Sequence, residues 1–337
     1  MAAVPPFTGL NIPQLATSAA LADWLAVPVD ALDYYADPSG RHEEHGETAV
    51  NHYHYNLLAK KRGGHRLIEA PKQRLKTLQR QILRGILDHV PVHDAAFGFV
   101  RGRNCLDAAA RHAGEEMVIC YDLQNFFPSI RGARILGIFR SLGYPQAVAR
   151  QLTGLCTTRT PSRIVRRMEQ NERLDYCETH LPQGAPTSPA LANLVAYRLD
   201  LRLAALGSGL GAQYSRYADD LTFSGGRGIS GTLLHLVPQI LIDEGFVMQA
   251  GKKRLMSQAT RQLVTGIVVN QHVNTPRKVF DQLKAVIHAC GQPDDLRLQD
   301  TAFLSRLLGQ IGWVETVNPS RGHKLRRLLE RAATRHT

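Results

Sequence analysis

Cysteine is scarce: Cys105, Cys120, Cys156, Cys177 and Cys290 are the only five in 337 residues, an odd number without Cys-x-x-Cys spacing. That argues against a disulfide framework and leaves reduced thiols in a cytoplasmic protein as the expectation. Long apolar runs are missing as well. None reaches the roughly 18 residues of a membrane-spanning helix. No basic stretch precedes an apolar one near the N-terminus, so no signal peptide and no membrane partner are expected. Internal repeats and low-complexity tracts are absent. Acidic side chains are in deficit, with 29 Asp and Glu against 41 Lys and Arg, a formal net charge of +12. A surface that basic suits a polyanion, and nucleic acid is the usual one.

What is present alternates between helical and strand patterns. "SAALADWLAV", 18–27, has helical spacing and runs into the breaker "YADPSG". In "RLKTLQRQILRGILDHV", Leu75, Leu78, Ile82 and Ile86 share one helical face, with Arg74, Lys76, Arg80 and Arg84 elsewhere around it. "MVICY", 117–121, is an apolar run of strand length ending at Asp122. "TSPALANLVAYRLDLRLAAL" predicts one helix with Ser188 as N-cap and Pro189 first, and "RQLVTGIVVN" predicts a strand. The last sixty-odd residues are helical and basic. Strands and helices are interleaved without strict βαβ regularity, which predicts an α+β fold.

The chemistry gathers at "RYADDLTFS", 216–224. Tyr214, Tyr217 and Phe223 favour a strand–turn–strand hairpin, and Asp219 and Asp220 fall at its bend. A solvated turn would explain two acids by themselves. Asp122, however, is another acid at a strand end. If the strands share a sheet, three carboxylates converge, and they repel one another unless cations lie between them. Hard oxygen donors suit Mg²⁺, and two such ions can hold the attacking and leaving oxygens of a phosphoryl transfer.

The rest of the chain resembles a reverse transcriptase over six ordered segments. "YADD" looks like the family's catalytic box, and "YDLQNFFPSI", 121–130, like the strand carrying the first catalytic aspartate. "LPQGAPTSPALANL" is similar to the segment lining the template and nucleotide pocket, and "KKRGGHRLIEAP" to the triphosphate-holding fingers segment. "GFVMQAGKKR" and "LVTGIVVN" resemble the segments that follow the catalytic hairpin. Within the family, "LPQGAPTSP", the "VTG" at 264–266, "AFGFVRGRN" and "LADWLAVPVDALDYYAD" are most similar to bacterial retron enzymes. One departure stands out: "LDAAARH" keeps Ala109 and His112 of a retron motif but has Ala108 in place of its asparagine.

The resemblance implies a right-hand polymerase: an N-terminal helical extension (1–51), fingers and palm with an antiparallel sheet (52–270), and a small helical basic thumb (271–337). It implies that Asp122, Asp219 and Asp220 hold two Mg²⁺ ions and that Lys252 donates a proton to the pyrophosphate. Lys60 and Arg66 bracket a Gly-Gly turn that can close two cations over phosphates, with Lys61 and Arg62 as alternatives. Gln183 and Gly184 allow close backbone approach to the nucleotide. Phe127 matches the steric gate that rejects a 2′-hydroxyl, with Phe126 a core residue or the alternative gate. RNA contacts are expected from His112, Val264, Thr265, Gly266, Arg277, Lys324 and Arg327. His42, His45, His52 and His54 are expected to be loop residues, and Cys177 with His180 lacks a second ligand pair.

The expected function is RNA-directed DNA synthesis from dNTPs on a cognate structured non-coding RNA. A retron would leave branched RNA-linked DNA in an anti-phage system, with an effector protein as a possible partner and a cellular RNase H acting separately. The rivals are another bacterial reverse transcriptase, defence-associated or diversity-generating, and a non-catalytic RNA-binding protein on the same scaffold.

Overall fold

The computed structural model describes residues 9–37, 52–59, 64–249 and 251–334. Where one N-terminal helix was expected there are two, α1 (Ser18–Leu25) and α2 (Val29–Ala36). Ala26, left-handed at φ 52°, ends the first. Leu21, Leu25, Leu32 and Ala36 are buried in the same apolar core as the central sheet, so these helices belong to the main body. Two antiparallel strands follow, β1 (Tyr53–Ala59) and β2 (His65–Pro71). Their connection, with Lys60, Lys61 and Arg62, lies outside the described residues, as do His42 and His45. Helix α3 (Gln73–Gly85) buries Leu75, Leu78 and Ile82, the face its spacing predicts.

Short α4 (Cys105–Ala110) leads to β3 (Met117–Asp122), then α5 (Gly132–Ser141), α6 (Gln146–Cys156) and α7 (Ser162–Val165). The segment expected as one long helix is two, α8 (Ser188–Val195) and α9 (Tyr197–Gly209), which meet at Ala196. Ser188 is not a cap: it is the first helical residue, Pro189 the second, and no side chain caps the end. The hairpin β4 (Gln213–Tyr217) and β5 (Asp220–Gly225) precedes α10 (Ile229–Asp243) and β6 (Arg254–Ser257). These strands form an antiparallel sheet in the order β4-β5-β3-β6. The apolar 117–121 run is an inner strand, which explains why it does not alternate.

The strand expected at 261–270 is a hairpin of β7 (Leu263–Val264) and β8 (Ile267–Val268). Thr265 at φ 48° and Gly266 at φ 86° make its loop, and positive φ at both residues is the type I′ signature. Helices α11 (Arg277–Cys290), α12 (Thr301–Val317) and α13 (Pro319–Ala333) complete the chain. They enclose a core of their own, with Leu283, Ile287, Leu307, Ile311, Leu325 and Leu329. No helix of the described residues is long and apolar enough to cross a membrane.

Candidate active site

Sheet register brings the three acids together. Asp122 ends β3 directly opposite Asp220, the first residue of β5. Asp219 occupies the two-residue loop before it, and its carbonyl accepts the Leu123 amide at 2.9 Å. Lys252 arrives from 130 residues away and donates to both Asp122 oxygens, at 2.8 and 3.0 Å. Its segment is tied to the end of β3 by the Gln249 amide on the Asp122 carbonyl, 2.7 Å.

These carboxylates are short of positive charge. Burial raises the Asp219 carboxyl above its ordinary value and the Asp122 charge adds to it, while Lys252 and Arg66 pull the other way. Burial, then Asp219 and Asp122, push Asp220 up to about 6. The donors are all hard oxygens, as Mg²⁺ requires. Among the described residues no three acidic, His or Cys groups already form an ion cage. A Mg²⁺ held by one or two carboxylates and completed by substrate phosphates needs none, so Asp122 and Asp219 fit that arrangement.

The turn carrying Asp219 is held from below. Ala218 is left-handed at φ 55°, a conformation costing a non-glycine residue about 1–2 kcal/mol. The Arg216 guanidinium, wholly buried, donates to both Asp200 oxygens at 2.6 and 2.8 Å. It also reaches Asn193 Oδ1 at 2.9 Å and the Ala218 carbonyl at 3.2 Å. Tyr214 donates its hydroxyl to Asp200, and Asn193 donates to the Gly98 carbonyl, both at 2.9 Å. Gly98 must be glycine, because a Cβ there would lie 2.5 Å from the Ala218 nitrogen. None of this support was expected from sequence. Its signal was there, since Asp200 falls between Leu199 and Leu203 on the helix face that packs inward.

Of the residues expected to hold the nucleotide, Arg66 is exposed on β2 and its charge acts on Asp219. The close approach that Gly184 permits is to β2: at φ 134°, its added Cβ would come 3.0 Å from the Glu69 carbonyl. The Glu69 amide also donates to the Gln183 carbonyl at 2.9 Å. The same Glu69 is buried with His180, Oε2 to Nε2 2.9 Å, and accepts from Thr160 at 2.6 Å. His180 is therefore a structural link between β2 and the chain that precedes α8. The two phenylalanines separate clearly. Phe126 is buried against Phe246, whereas Phe127 lines an open cleft of about 420 Å³ with Lys76, Arg80, Phe99 and Gly184. Lys76, Arg80 and Phe99 were not anticipated as site residues.

Two expected RNA contacts are corrected. His112 has no exposed surface and is held between Ser224 and Ser215, both at 2.7 Å. Burial, with the Arg111 charge, pushes it down to about 3, so it is a neutral core histidine. Val264 is buried beside Ala109, Val118 and Ile267. By contrast, Thr265 is partly exposed, and Gly266, Arg277, Lys324 and Arg327 are exposed. His52 packs on Tyr34 and Tyr35, and His54 lies within β1 rather than in a loop.

Residues 58–274 match the family described as Reverse transcriptase (RNA-dependent DNA polymerase). The chain is 36% identical over 325 residues to the retron Mx65 reverse transcriptase of Myxococcus xanthus, covering 94% of this chain and 72% of that one. It is 35% identical over 331 residues to the retron Mx162 reverse transcriptase of the same organism, covering 93% and 66%. With the retron Ec86 reverse transcriptase of Escherichia coli it shares 32% identity over 240 residues, 68% of each chain.

Proposed function

Because the chain belongs to the reverse transcriptase family, RNA-directed DNA polymerases, and is of the retron type, we propose that it copies a cognate structured non-coding RNA into DNA at the Asp122–Asp219–Asp220 cluster. The juxtaposition of these acids by the β3–β5 register carries the reading. A binding protein gains nothing from partly buried acids facing a polyanion. The product proposed is branched RNA-linked single-stranded DNA serving anti-phage defence, with an effector protein as partner and RNA removal left to a separate RNase H.

Asp122 and Asp219 would hold the Mg²⁺ ions, with Asp220 in support; when bound, the ions supply charge neutralisation of the triphosphate and a lowered pKa for the primer hydroxyl. Arg66 orients the triphosphate, and Lys60, outside the described residues, is assigned the same role. Gln183 and Gly184 form the wall of the nucleotide pocket against β2. Phe127 lies under the sugar and rejects a 2′-hydroxyl by contact. Lys252, next to Asp122, carries the proton that the departing pyrophosphate takes. Template RNA is gripped by Thr265, Gly266, Arg277, Lys324 and Arg327.

Asp219→Ala tests the assignment. It removes a partly buried, repelled carboxylate, so the melting temperature should hold or rise while Mg²⁺-dependent primer extension is abolished. Extension at the unmodified rate would overturn the assignment.

A further inference from the structure

We propose that Asp175 is a positioning residue for sugar discrimination, acting through Asn125 on the loop that carries Phe127. This rests on the polymerase reading above, with Phe127 as the gate, and adds to it a residue from a segment that reading does not use.

A gate that works by contact is only as selective as its ring is fixed, because repulsion falls away within a fraction of an ångström. Burial does not fix Phe127. It is partly exposed in the cleft, with the rings of Phe126 and Phe99 at 5.4 and 6.2 Å between centres. Its backbone must supply the rest. The loop is pinned at its start, where the Gln124 amide donates to the Val247 carbonyl at 2.8 Å. Asn125 comes next and is left-handed at φ 45°, so its conformation sets the direction in which the chain enters Phe126 and Phe127. Its carbonyl accepts the Ser129 amide at 2.9 Å, closing the turn around both rings. Asparagine adopts this conformation more readily than most residues and needs no distant partner to do so. It has one all the same: the side-chain amide donates to Asp175 Oδ2 at 2.8 Å, from 50 residues away.

Asp175 is itself held firmly. Arg131 Nη1 donates to its carbonyl at 2.9 Å, and Arg131 Nη2 lies 3.5 Å from its other carboxylate oxygen. Tyr176, the next residue, is buried beside Leu67, Val165 and Met168. Glu172 accepts the His65 amide with both oxygens, at 3.2 and 3.3 Å. His65 begins β2 and precedes Arg66. Residues 172–175 thus span from the strand carrying Arg66 to the loop carrying Phe127. A hydrogen bond to an ionised acceptor is about twice as strong as one between neutral groups, which suits Asp175 to hold that loop in one place.

The test is competition between ribonucleotides and deoxynucleotides in single-nucleotide extension, with thermal melting alongside. Asp175→Ala should raise the ribonucleotide-to-deoxynucleotide ratio about tenfold, with deoxynucleotide extension changed far less. Asp175→Asn keeps an acceptor oxygen and should hold the ratio. Asn125→Gly removes the side-chain amide while suiting the left-handed backbone. Its melting temperature should hold while the ratio rises, and adding Asp175→Ala to it should raise the ratio no further. A folded Asp175→Ala protein with the unmodified ratio overturns the proposal, as does a further rise in the double variant. So does an Asp175→Asn ratio as high as that of Asp175→Ala. Deoxynucleotide extension by the unmodified protein checks the polymerase reading separately, and the ratio in Phe127→Ala checks the gate.

Discussion

Arg216 and Asp200 form a bidentate ion pair, at 2.6 and 2.8 Å, in which neither side chain meets solvent. The same guanidinium donates to the Ala218 carbonyl, one residue before Asp219. Breaking a buried pair by removing one partner leaves an uncompensated charge worth about 3–5 kcal/mol, so Asp200→Ala should be strongly destabilised. Arg216→Lys is more informative. It keeps the charge but loses the planar fork that serves Asp200, Asn193 and Ala218 together. We expect single-turnover extension to fall about tenfold or more, with dNTP KM changed far less. Urea unfolding run alongside decides the matter, since a rate loss matched by the unfolded fraction would exclude a positioning role.

Phe127→Ala should raise ribonucleotide relative to deoxynucleotide incorporation, by about tenfold for each 1.4 kcal/mol of steric exclusion removed. Phe126→Ala should instead lower stability by roughly 3–5 kcal/mol, because its ring is core. Competitive single-nucleotide extension and thermal melting separate the two. A discrimination ratio that moves only in the Phe126 variant would reverse the assignment.

His112 sets a pH dependence. Its value in the folded protein, about 3, lies below the ordinary 6.5. Between the two, the unfolded chain binds a proton that the folded chain does not. Stability is therefore full above pH 6.5 and is lost as pH falls toward 3, at up to about 1.4 kcal/mol per unit. His112→Gln should flatten this part of the stability–pH curve. Its RNA affinity at neutral pH, per folded molecule, should match the unmodified protein's, because the ring is inaccessible. A variant that melts normally yet loses RNA affinity would restore His112 as a contact.

Lys324 and Arg327 are exposed on α13, whereas Arg326 is paired with Glu315 at 2.7 Å. Lys324→Ala/Arg327→Ala should weaken binding to all RNAs about equally and reduce the slope of log affinity against log salt by roughly 1.4–1.8, depending on single- or double-stranded contact. Titrations at several salt concentrations measure this. An unchanged slope would place the phosphates elsewhere.

Local patterns carried much of this protein in its sequence. The face of α3, the apolar run of β3, the acids at strand ends and the basic helices of the C-terminal segment all follow from periodicity and from residue types adjacent in the chain. Family resemblance named the acids, and the β3–β5 register then brought them together. Turn chemistry was harder to read: Thr265–Gly266 folds what looked like one strand back on itself, and Ala196 divides what looked like one helix.

Tertiary structure alone decided the partners of the polar residues. His112 has the composition of an RNA contact until two serines more than a hundred residues away enclose it. Asp200 and Arg216 look like solvated charges until burial removes the water and leaves each the other's counter-ion. Apolar periodicity is visible along the chain because burial needs only a face. A hydrogen bond or ion pair needs one particular atom, and where that atom lies is settled only when distant strands and helices pack together.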